Sequence, residues 1–296
     1  MLDKRLRSSM LYQRVLRPTL KSLVPGLAAR GATTWTLPIP DRMSGGDGSQ
    51  SAAAIWERAS KVRWYHTIDL GHGVATPGFV DRRSVTDRYG LPASLVGMRC
   101  LDVGTYDGFW AFEMERRGAQ EVIALDLDSP LDLDVPRLQR RALESNPTML
   151  EALGVGQIGS GFKLAHEILG SRAKRATVDV YKLTEDSLGL FDVVFVSEVL
   201  LHLRDAQTAL ENIYSVTRDY VVIAEPFEPE LERLNRPVSE FVGTEVVGIW
   251  WKHSISALKK MLNVAGFTRV EEVARLSVDN RVGQFWVVVL KAYRAG

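Results

Sequence analysis

The stretch that most constrains the fold is Cys100-Leu-Asp-Val-Gly-Thr-Tyr-Asp-Gly-Phe-Trp110. An apolar run ends at Gly104, small and polar residues follow, and apolar residues then recur at helical spacing from Phe109 to Arg117. This order predicts a buried strand, a glycine loop and a helix. A second apolar run ends at Asp126. In an open parallel sheet, an acid about 20 residues beyond the glycine loop can accept hydrogen bonds from both ribose hydroxyls. The pattern therefore predicts a nucleoside-binding pocket.

The register of the glycines separates two kinds of nucleotide site. A dinucleotide fingerprint has glycines in G-x-G-x-x-G register, but counting from Gly104 the other two positions hold Tyr106 and Phe109. The pattern Asp-x-Gly-x-x-x-Gly over residues 102–108, followed by Asp126, instead resembles motif I of the class I S-adenosylmethionine (SAM) methyltransferases. In that family the loop amides face the methionine portion of the cofactor. For motif I taken alone, an ordinary βα turn beside a solvated aspartate is the alternative. The resemblance places these residues at the cofactor: Asp102, Gly104, Thr105, Tyr106, Gly108, Asp126 and Leu127.

Length and composition allow one large α/β domain with added segments. The chain has 296 residues, of which 46% are apolar and 25% are charged, and its net charge is +1. It therefore lacks the overall positive charge of many nucleic-acid-binding proteins. No apolar run approaches the roughly 18 residues that a membrane span needs, and we expect a cytoplasmic protein. No cluster of Cys, His and Asp has metal-site spacing, so no metal is expected.

The first 34 residues are predicted to form a basic amphipathic helical arm. Residues 1–30 contain seven Lys or Arg and one acid, and apolar residues recur at helical spacing as far as Pro18. Packing on the domain or on a second subunit is one interpretation, and contact with an anionic membrane surface or with RNA is the other. Residues 35–95 combine a linker rich in Pro, Gly and Ser with a region expected to cover cofactor and substrate.

Residues 96–296 are predicted to form the SAM-binding domain, with insertions at 129–176 and 227–253. The third strand, at 176–180, ends in Asp179 and Val180, an acid and an apolar residue that suit adenine, although a surface aspartate is the alternative. The fourth strand leads into Ser197 and Glu198, which are predicted to bind the cofactor, and the fifth ends at Glu225 on the same edge of the sheet. Two later apolar stretches, at 270–276 and 285–290, complete a mostly parallel sheet of about seven strands with helices on both faces.

Two segments are predicted to cover the pocket. The first, residues 64–78, places a Trp, a Tyr and two His among Gly and Pro, which is typical of a ligand-covering loop. The second, residues 227–253, ends in two adjacent tryptophans, a lysine and a histidine. The tryptophans either form an apolar wall around the sulfonium and the acceptor or fix the segments to the core. The residues assigned to substrate are Trp64, Tyr65, Trp250, Trp251, His253 and Arg281.

These motifs together resemble the group of methyltransferases related to the bacterial tRNA wobble-uridine (mo5U34) carboxymethyltransferase, over residues 60–290. The resemblance implies a Rossmann-like class I fold and SAM as the cofactor. The tRNA enzyme has a Tyr-His-Arg run that helps to hold the extra carboxylate of carboxy-SAM, whereas this chain has Leu201, His202 and Leu203 there. An upstream lysine of that enzyme falls near Ser84. We therefore expect ordinary SAM. Arg281, at a position where the family can use an arginine near the cofactor, points the other way.

The chemistry needs alignment more than it needs reactive side chains, because the sulfonium methyl group is already activated. A general base helps only where the acceptor must lose a proton. His202 is the first candidate for such a base, followed by His66, His72 and Glu225, and a purely structural His202 is the alternative.

Three functions are compatible with the sequence. The leading hypothesis is methyl transfer to O or N of a small molecule or glycan in specialised metabolism, because the net charge is near zero and two segments enclose the cleft. The second is an RNA-directed methyl or carboxymethyl transferase whose basic arm binds phosphates. The third is a non-catalytic subunit that binds a partner through the amino-terminal helix. The intact motif I residues disfavour it.

Overall fold

The computed structural model describes residues 51–145, 158–243, 248–281 and 283–295. The arm predicted for residues 1–34 lies outside the described residues, and so do the interactions expected of it. Among the helices that are described, none is both long and apolar enough to cross a membrane.

A seven-stranded sheet forms the centre of the domain. Its strands are β1 (Arg99–Val103), β2 (Glu121–Asp126), β3 (Lys174–Thr177), β4 (Phe191–Ser197), β5 (Thr217–Pro226), β8 (Arg269–Asn280) and β9 (Gly283–Tyr293), and a separate hairpin contains β6 (Ser239–Phe241) and β7 (Trp251–His253). The spatial order is β3-β2-β1-β4-β5-β9-β8, and only β9 runs antiparallel to its neighbours. The predicted Rossmann-like, mostly parallel sheet of about seven strands is confirmed.

Helices cover both faces of this sheet. They are α1 (Ala52–Ala59), α2 (Phe109–Arg116), α3 (Arg137–Ser145), α4 (Ser160–Leu169), α5 (Glu185–Leu188), α6 (Ala206–Val216), α7 (Pro229–Glu232) and α8 (Ile255–Ala265). On one face α1, α2 and α4 pack Ile55, Trp110 and Phe162 into the core. On the other, α6 and α8 contribute Ile213 and Leu258. One layer of helices on each face buries both sides of the sheet, because strands that are apolar throughout must be covered on both sides.

Strand boundaries differ from the sequence prediction at β3 and at the last two strands. β3 covers residues 174–177 rather than 176–180, because Lys174 and Arg175 pair through their backbones with β2 despite their charges. β8 and β9 run several residues beyond their apolar centres, since antiparallel backbone hydrogen bonds continue to Asn280 and Gly283 whatever the side chains are. Asp179 therefore lies two residues beyond the strand.

The first covering segment is an ordered part of the domain. The backbones of Thr67 and Val80 are joined by a 2.8 Å hydrogen bond, and Val80 also bridges Asn280 of β8. Ile68, Leu70 and Val74 are buried in the core on the α2 side of the sheet. The covering segment, which in the structure extends over residues 64–82, is therefore folded and is fixed along the β8 side of the sheet.

Candidate active site

The glycine loop connects β1 to α2 and is joined to the end of β2. The Tyr106 amide donates a 2.7 Å hydrogen bond to Asp126 Oδ2, and the Leu127 amide donates one of the same length to Oδ1. Tyr106 has a φ of +49°, a left-handed conformation that favours glycine. Tyr106 therefore has a backbone conformation that glycine adopts most readily, although it carries an aromatic side chain.

The two motif glycines are required by close packing within the protein. A Cβ added to Gly104 would lie 2.5 Å from Val199 Cγ2, and one added to Gly108 would lie 2.5 Å from the Phe112 ring. The Gly104 and Thr105 amides both donate to the Leu125 carbonyl. The resemblance implied loop amides that face the cofactor, but these two amides bind the Leu125 carbonyl of β2.

Buried carboxylates surround the loop. Asp102 is 2% exposed, and burial raises its pKa to about 7. Burial also raises the pKa of Asp126, although its two amide donors act in the opposite direction. Asp126 remains partly exposed.

The donor and acceptor groups at this edge fit the ribose and methionine parts of SAM. Each Asp126 oxygen accepts one backbone amide and has lone-pair capacity left for a hydroxyl donor. At the end of β4, the Ser197 hydroxyl is buried without a hydrogen-bond partner, a state that normally signals a missing ligand or water. Beyond β3, Asp179 Oδ1 accepts from the Tyr181 amide and caps a short helical turn, Val180–Lys182, whose first residue is buried.

A buried ion pair links the covering segment to the end of β4. Arg82, 1% exposed, donates to one carboxylate oxygen of Glu198, and the Tyr65 hydroxyl donates to the other. Burial, followed by the charge of Glu198, raises the pKa of Tyr65 well above its ordinary value. Glu198 has a φ of +56°. Two donors from the cover therefore fix the first residue after the strand.

His66 is held on both sides by charged residues. Its Nδ1 lies 2.7 Å from Asp107 Oδ1, and its Nε2 lies 2.9 Å from Arg82 Nη1. Its ring stacks on Phe109 at a centroid distance of 4.9 Å. Both ring nitrogens are thus engaged, which leaves His66 without a free lone pair for proton abstraction.

Glu225 is fully buried behind the segment that follows β4. Its Oε1 accepts from the Val199 and Leu200 amides at 2.7 and 3.0 Å, while its Oε2 has no hydrogen-bond partner. Burial raises its pKa to about 8. Burial thus favours the neutral form of Glu225, which supports the backbone beside Glu198.

His202 lies where the β6–β7 hairpin meets the sheet edge. Its Nδ1 donates to the Gly248 carbonyl, so that Nε2 is the acceptor nitrogen of the neutral ring. The residue is exposed. The Trp250 amide donates to the Leu201 carbonyl at 2.9 Å, which fixes the hairpin next to His202.

The remaining predicted substrate residues divide between core and surface. The Trp64 indole is 3% exposed and donates to the Ala59 carbonyl. The Trp250 indole donates to the Asp134 carbonyl and the Trp251 indole to that of Arg204, so both tryptophans lock the hairpin in place.

His253 is 2% exposed, pairs with Ser239, and has a pKa lowered to about 4 by burial. His72 is exposed at the tip of a turn. Arg281 Nε donates to the Gly78 carbonyl and joins the end of β8 to the cover.

Sequence reasoning did not find Arg82 and Asp107. Asp107 lies inside motif I, and three donors from the cover reach its carboxylate: the Tyr65 and His66 amides and the His66 ring. The sequence did contain a signal for Asp107: an aspartate inside motif I, together with an upstream Tyr-His pair that could contact it. In the described part of the chain, no three metal-ligating side chains come together.

Comparisons with known proteins identify the family and a similar fold. A family model described as "Methyltransferase domain" matches residues 81–272. The N-terminal domain of EvdMO1 with S-adenosylhomocysteine (SAH) bound has a similar fold, with a TM-score of 0.53, 16% identity, and coverage of 84% of this chain and 100% of that one. Against full EvdMO1 the TM-score is 0.52 at 15% identity, with 85% of this chain and 50% of that chain covered. This chain therefore spans half the length of full EvdMO1. A search of curated proteins found no match.

The fold and the family match define a class I methyltransferase. The chain belongs to the methyltransferase-domain family, and the prediction of an enzyme that uses SAM is confirmed.

Proposed function

We propose that this methyltransferase acts on O or N of a small molecule or glycan held between the covering segment and the β6–β7 hairpin. The observation that carries the proposal is that both covers are hydrogen-bonded to the same stretch after β4. Tyr65 and Arg82 bind Glu198 from one side, and Trp250 binds the Leu201 backbone from the other. An acceptor site closed on two sides suits a small acceptor better than a folded RNA.

The proposed cofactor roles follow the donors and acceptors at the sheet edge. Asp126 would hold the ribose hydroxyls, and Asp179 with the Val180 backbone would face the adenine. Ser197 and Glu198 would line the methionine side. When bound, SAM supplies an electrophilic methyl group: the acceptor lone pair forms the new bond to carbon as the carbon–sulfur bond breaks, and SAH leaves. Alignment of the two reactants can contribute about 7 to 11 kcal/mol.

His202 is the proposed proton acceptor. Its Nδ1 is fixed by the Gly248 carbonyl, so the exposed imidazole has Nε2 available to take the proton that a hydroxyl acceptor loses. His66 is engaged at both nitrogens, and burial favours the neutral form of Glu225. These contacts favour His202 over His66 and Glu225, and the fourth candidate, His72, lies exposed at the tip of a turn.

The acceptor class separates this proposal from an RNA-directed one. The resemblance to the tRNA wobble-uridine group is retained only as the competing hypothesis, with carboxy-SAM as its cofactor. The N-terminal domain of EvdMO1 was also crystallised in the presence of SAH and D-fucose. That observation concerns EvdMO1, and it makes sugars a rational first set of acceptors here.

The test is to incubate the protein with SAM and sets of glycosides, phenols and amines, or with total tRNA, and to measure SAH by mass spectrometry. We expect SAH with a small acceptor and little change in rate between about 50 and 200 mM salt, because few phosphates are involved. SAH formed only with tRNA, with a rate that falls steeply with salt, would overturn the proposal. The Asp126→Ala variant controls for SAH that is present in the reagents or forms independently of this site.

A further inference from the structure

We propose that Asp107, His66 and Arg82 form a positioning relay that couples the glycine loop to Glu198 across the covering segment. None of the three needs to touch the reacting atoms. The proposal rests on the function proposed above only in taking the loop and Glu198 as parts of the cofactor site.

The first step is the direction of the hydrogen bonds at His66. A guanidinium has only donors, so the 2.9 Å contact with Arg82 Nη1 makes His66 Nε2 an acceptor. The neutral ring then carries its proton on Nδ1, which donates to Asp107 Oδ1 at 2.7 Å. The charges of Asp107 and Arg82 therefore select one tautomer of a buried histidine.

The second step is the connection at each end. Asp107 Oδ2 also accepts from the Tyr65 and His66 amides, at 2.9 and 2.7 Å, so the loop holds the cover through three hydrogen bonds. At the other end Arg82 uses its second amino group to bind Glu198. The loop, the cover and the end of β4 are thus joined by a continuous chain of buried polar contacts.

The third step is that the hydrogen bonds from Arg82 through His66 to Asp107 all run in one direction, from donor to acceptor. An asparagine at position 107 whose oxygen still accepts from the Tyr65 and His66 amides would present its NH2 donor to His66 Nδ1. In that orientation the ring would have to move its proton to Nε2. That proton would then face the Arg82 donors. No tautomer of His66 satisfies both neighbours after such a change, so a defect at the loop is transmitted to Arg82 and Glu198.

The tautomer is read in the unmodified protein from long-range ¹H–¹⁵N spectra. The chain has five histidines, and loss of one ring signal in His66→Gln assigns His66. We expect a protonated Nδ1 and an unprotonated Nε2. A protonated Nε2 would overturn the relay. Because this spectrum needs neither cofactor nor acceptor, it is independent of the proposed function.

The coupling is read from a double-mutant cycle on SAM affinity. Asp107→Asn reverses the donor at the loop, while Arg82→Lys keeps the charge beside Glu198 but lacks the planar fork that binds two partners at once. We expect each single variant to weaken SAM binding. The fold-loss of SAM affinity in the double variant should be smaller, by at least about fivefold, than the product of the two single fold-losses. Multiplicative losses would contradict the relay.

The control for general destabilisation is Arg117→Met. Arg117 is also buried and also binds a carboxylate, Glu113, together with two backbone carbonyls, outside this site. The Arg117→Met variant should have a SAM affinity within about twofold of that of the unmodified protein. An equal loss of SAM affinity in this variant would mean that replacing any buried arginine weakens SAM binding, and that the relay is not the cause. A protein with the expected His66 tautomer and no SAM binding would instead refute the proposed function.

Discussion

The Tyr106 amide and the Asp126 carboxylate are joined by a 2.7 Å hydrogen bond that makes the glycine loop and the end of β2 one structural unit. Asp126 thereby acts as a structural acceptor and as the proposed ribose ligand. The left-handed backbone of Tyr106 directs its amide toward β2. The protein's own hydrogen bonds thus hold together the loop and strand end of the proposed cofactor site.

Replacing Asp126 with alanine is expected to weaken SAM binding by about 10- to 100-fold or more, because a hydrogen bond to a charged group contributes about 1.5 to 3 kcal/mol. Titration calorimetry measures the change. Asp128→Asn is the matched control, since Asp128 lies near the same strand end but pairs with Arg175 and Thr177 on the surface. Equal losses in the two variants would refute the placement of the ribose.

Tyr106→Gly is expected to be more stable than Tyr106→Ala by roughly 1 kcal/mol. Both variants lose the aromatic ring, but only glycine adopts a φ of +49° without a steric cost. Urea unfolding of the two variants gives the difference. An alanine variant as stable as the glycine variant would show that the loop relaxes out of the left-handed region.

Stability should fall as pH rises from about 5 to 8, in part because of Glu225. Burial raises its folded pKa to about 8, so the folded state keeps a proton that the unfolded chain releases above its pKa of about 4.3. The stabilisation is present below that value and is lost as pH approaches 8.

Glu225→Gln should therefore reduce the pH slope of the unfolding free energy by up to about 1.4 kcal/mol per pH unit. Unfolding curves at pH 5.5 and 7.5 measure it. An unchanged slope would show that Glu225 is ionised in the folded protein.

His202→Asn is expected to lower the turnover of a hydroxyl acceptor by about 100-fold or more, as loss of a general base does, and to leave SAM affinity nearly unchanged. Steady-state kinetics and calorimetry separate the two effects. His72→Asn is the control, because His72 is exposed at a turn tip. Full activity of the His202 variant would assign its imidazole a structural role at the Gly248 carbonyl.

The fold was largely predictable because its strands are continuous apolar runs between glycine and polar turns. β4 and β5 were located from such runs, and the position of Asp126 at the end of the strand after the glycine loop was predicted in the same way. β3 was misplaced by two residues because Lys174 and Arg175 pair through the backbone, which leaves no apolar pattern.

The buried polar network was not predictable in the same way. Arg82 is separated from Glu198 by 116 residues, and His66 is separated from Asp107 by 41. A charged residue in a loop is normally exposed, and only the partners brought together by the fold make its burial tolerable. The sequence therefore offered His66 as a candidate base, and only its neighbours in the fold show that both of its ring nitrogens are engaged.

The most direct measurement is a calorimetric titration of the full chain with SAM and, in parallel, with carboxy-SAM. A SAM-dependent methyltransferase with Leu201 beside His202 should bind SAM more tightly, at one molecule per chain, and Asp126→Ala should weaken that binding. Tighter binding of carboxy-SAM would contradict the assignment and direct the search for the acceptor to tRNA.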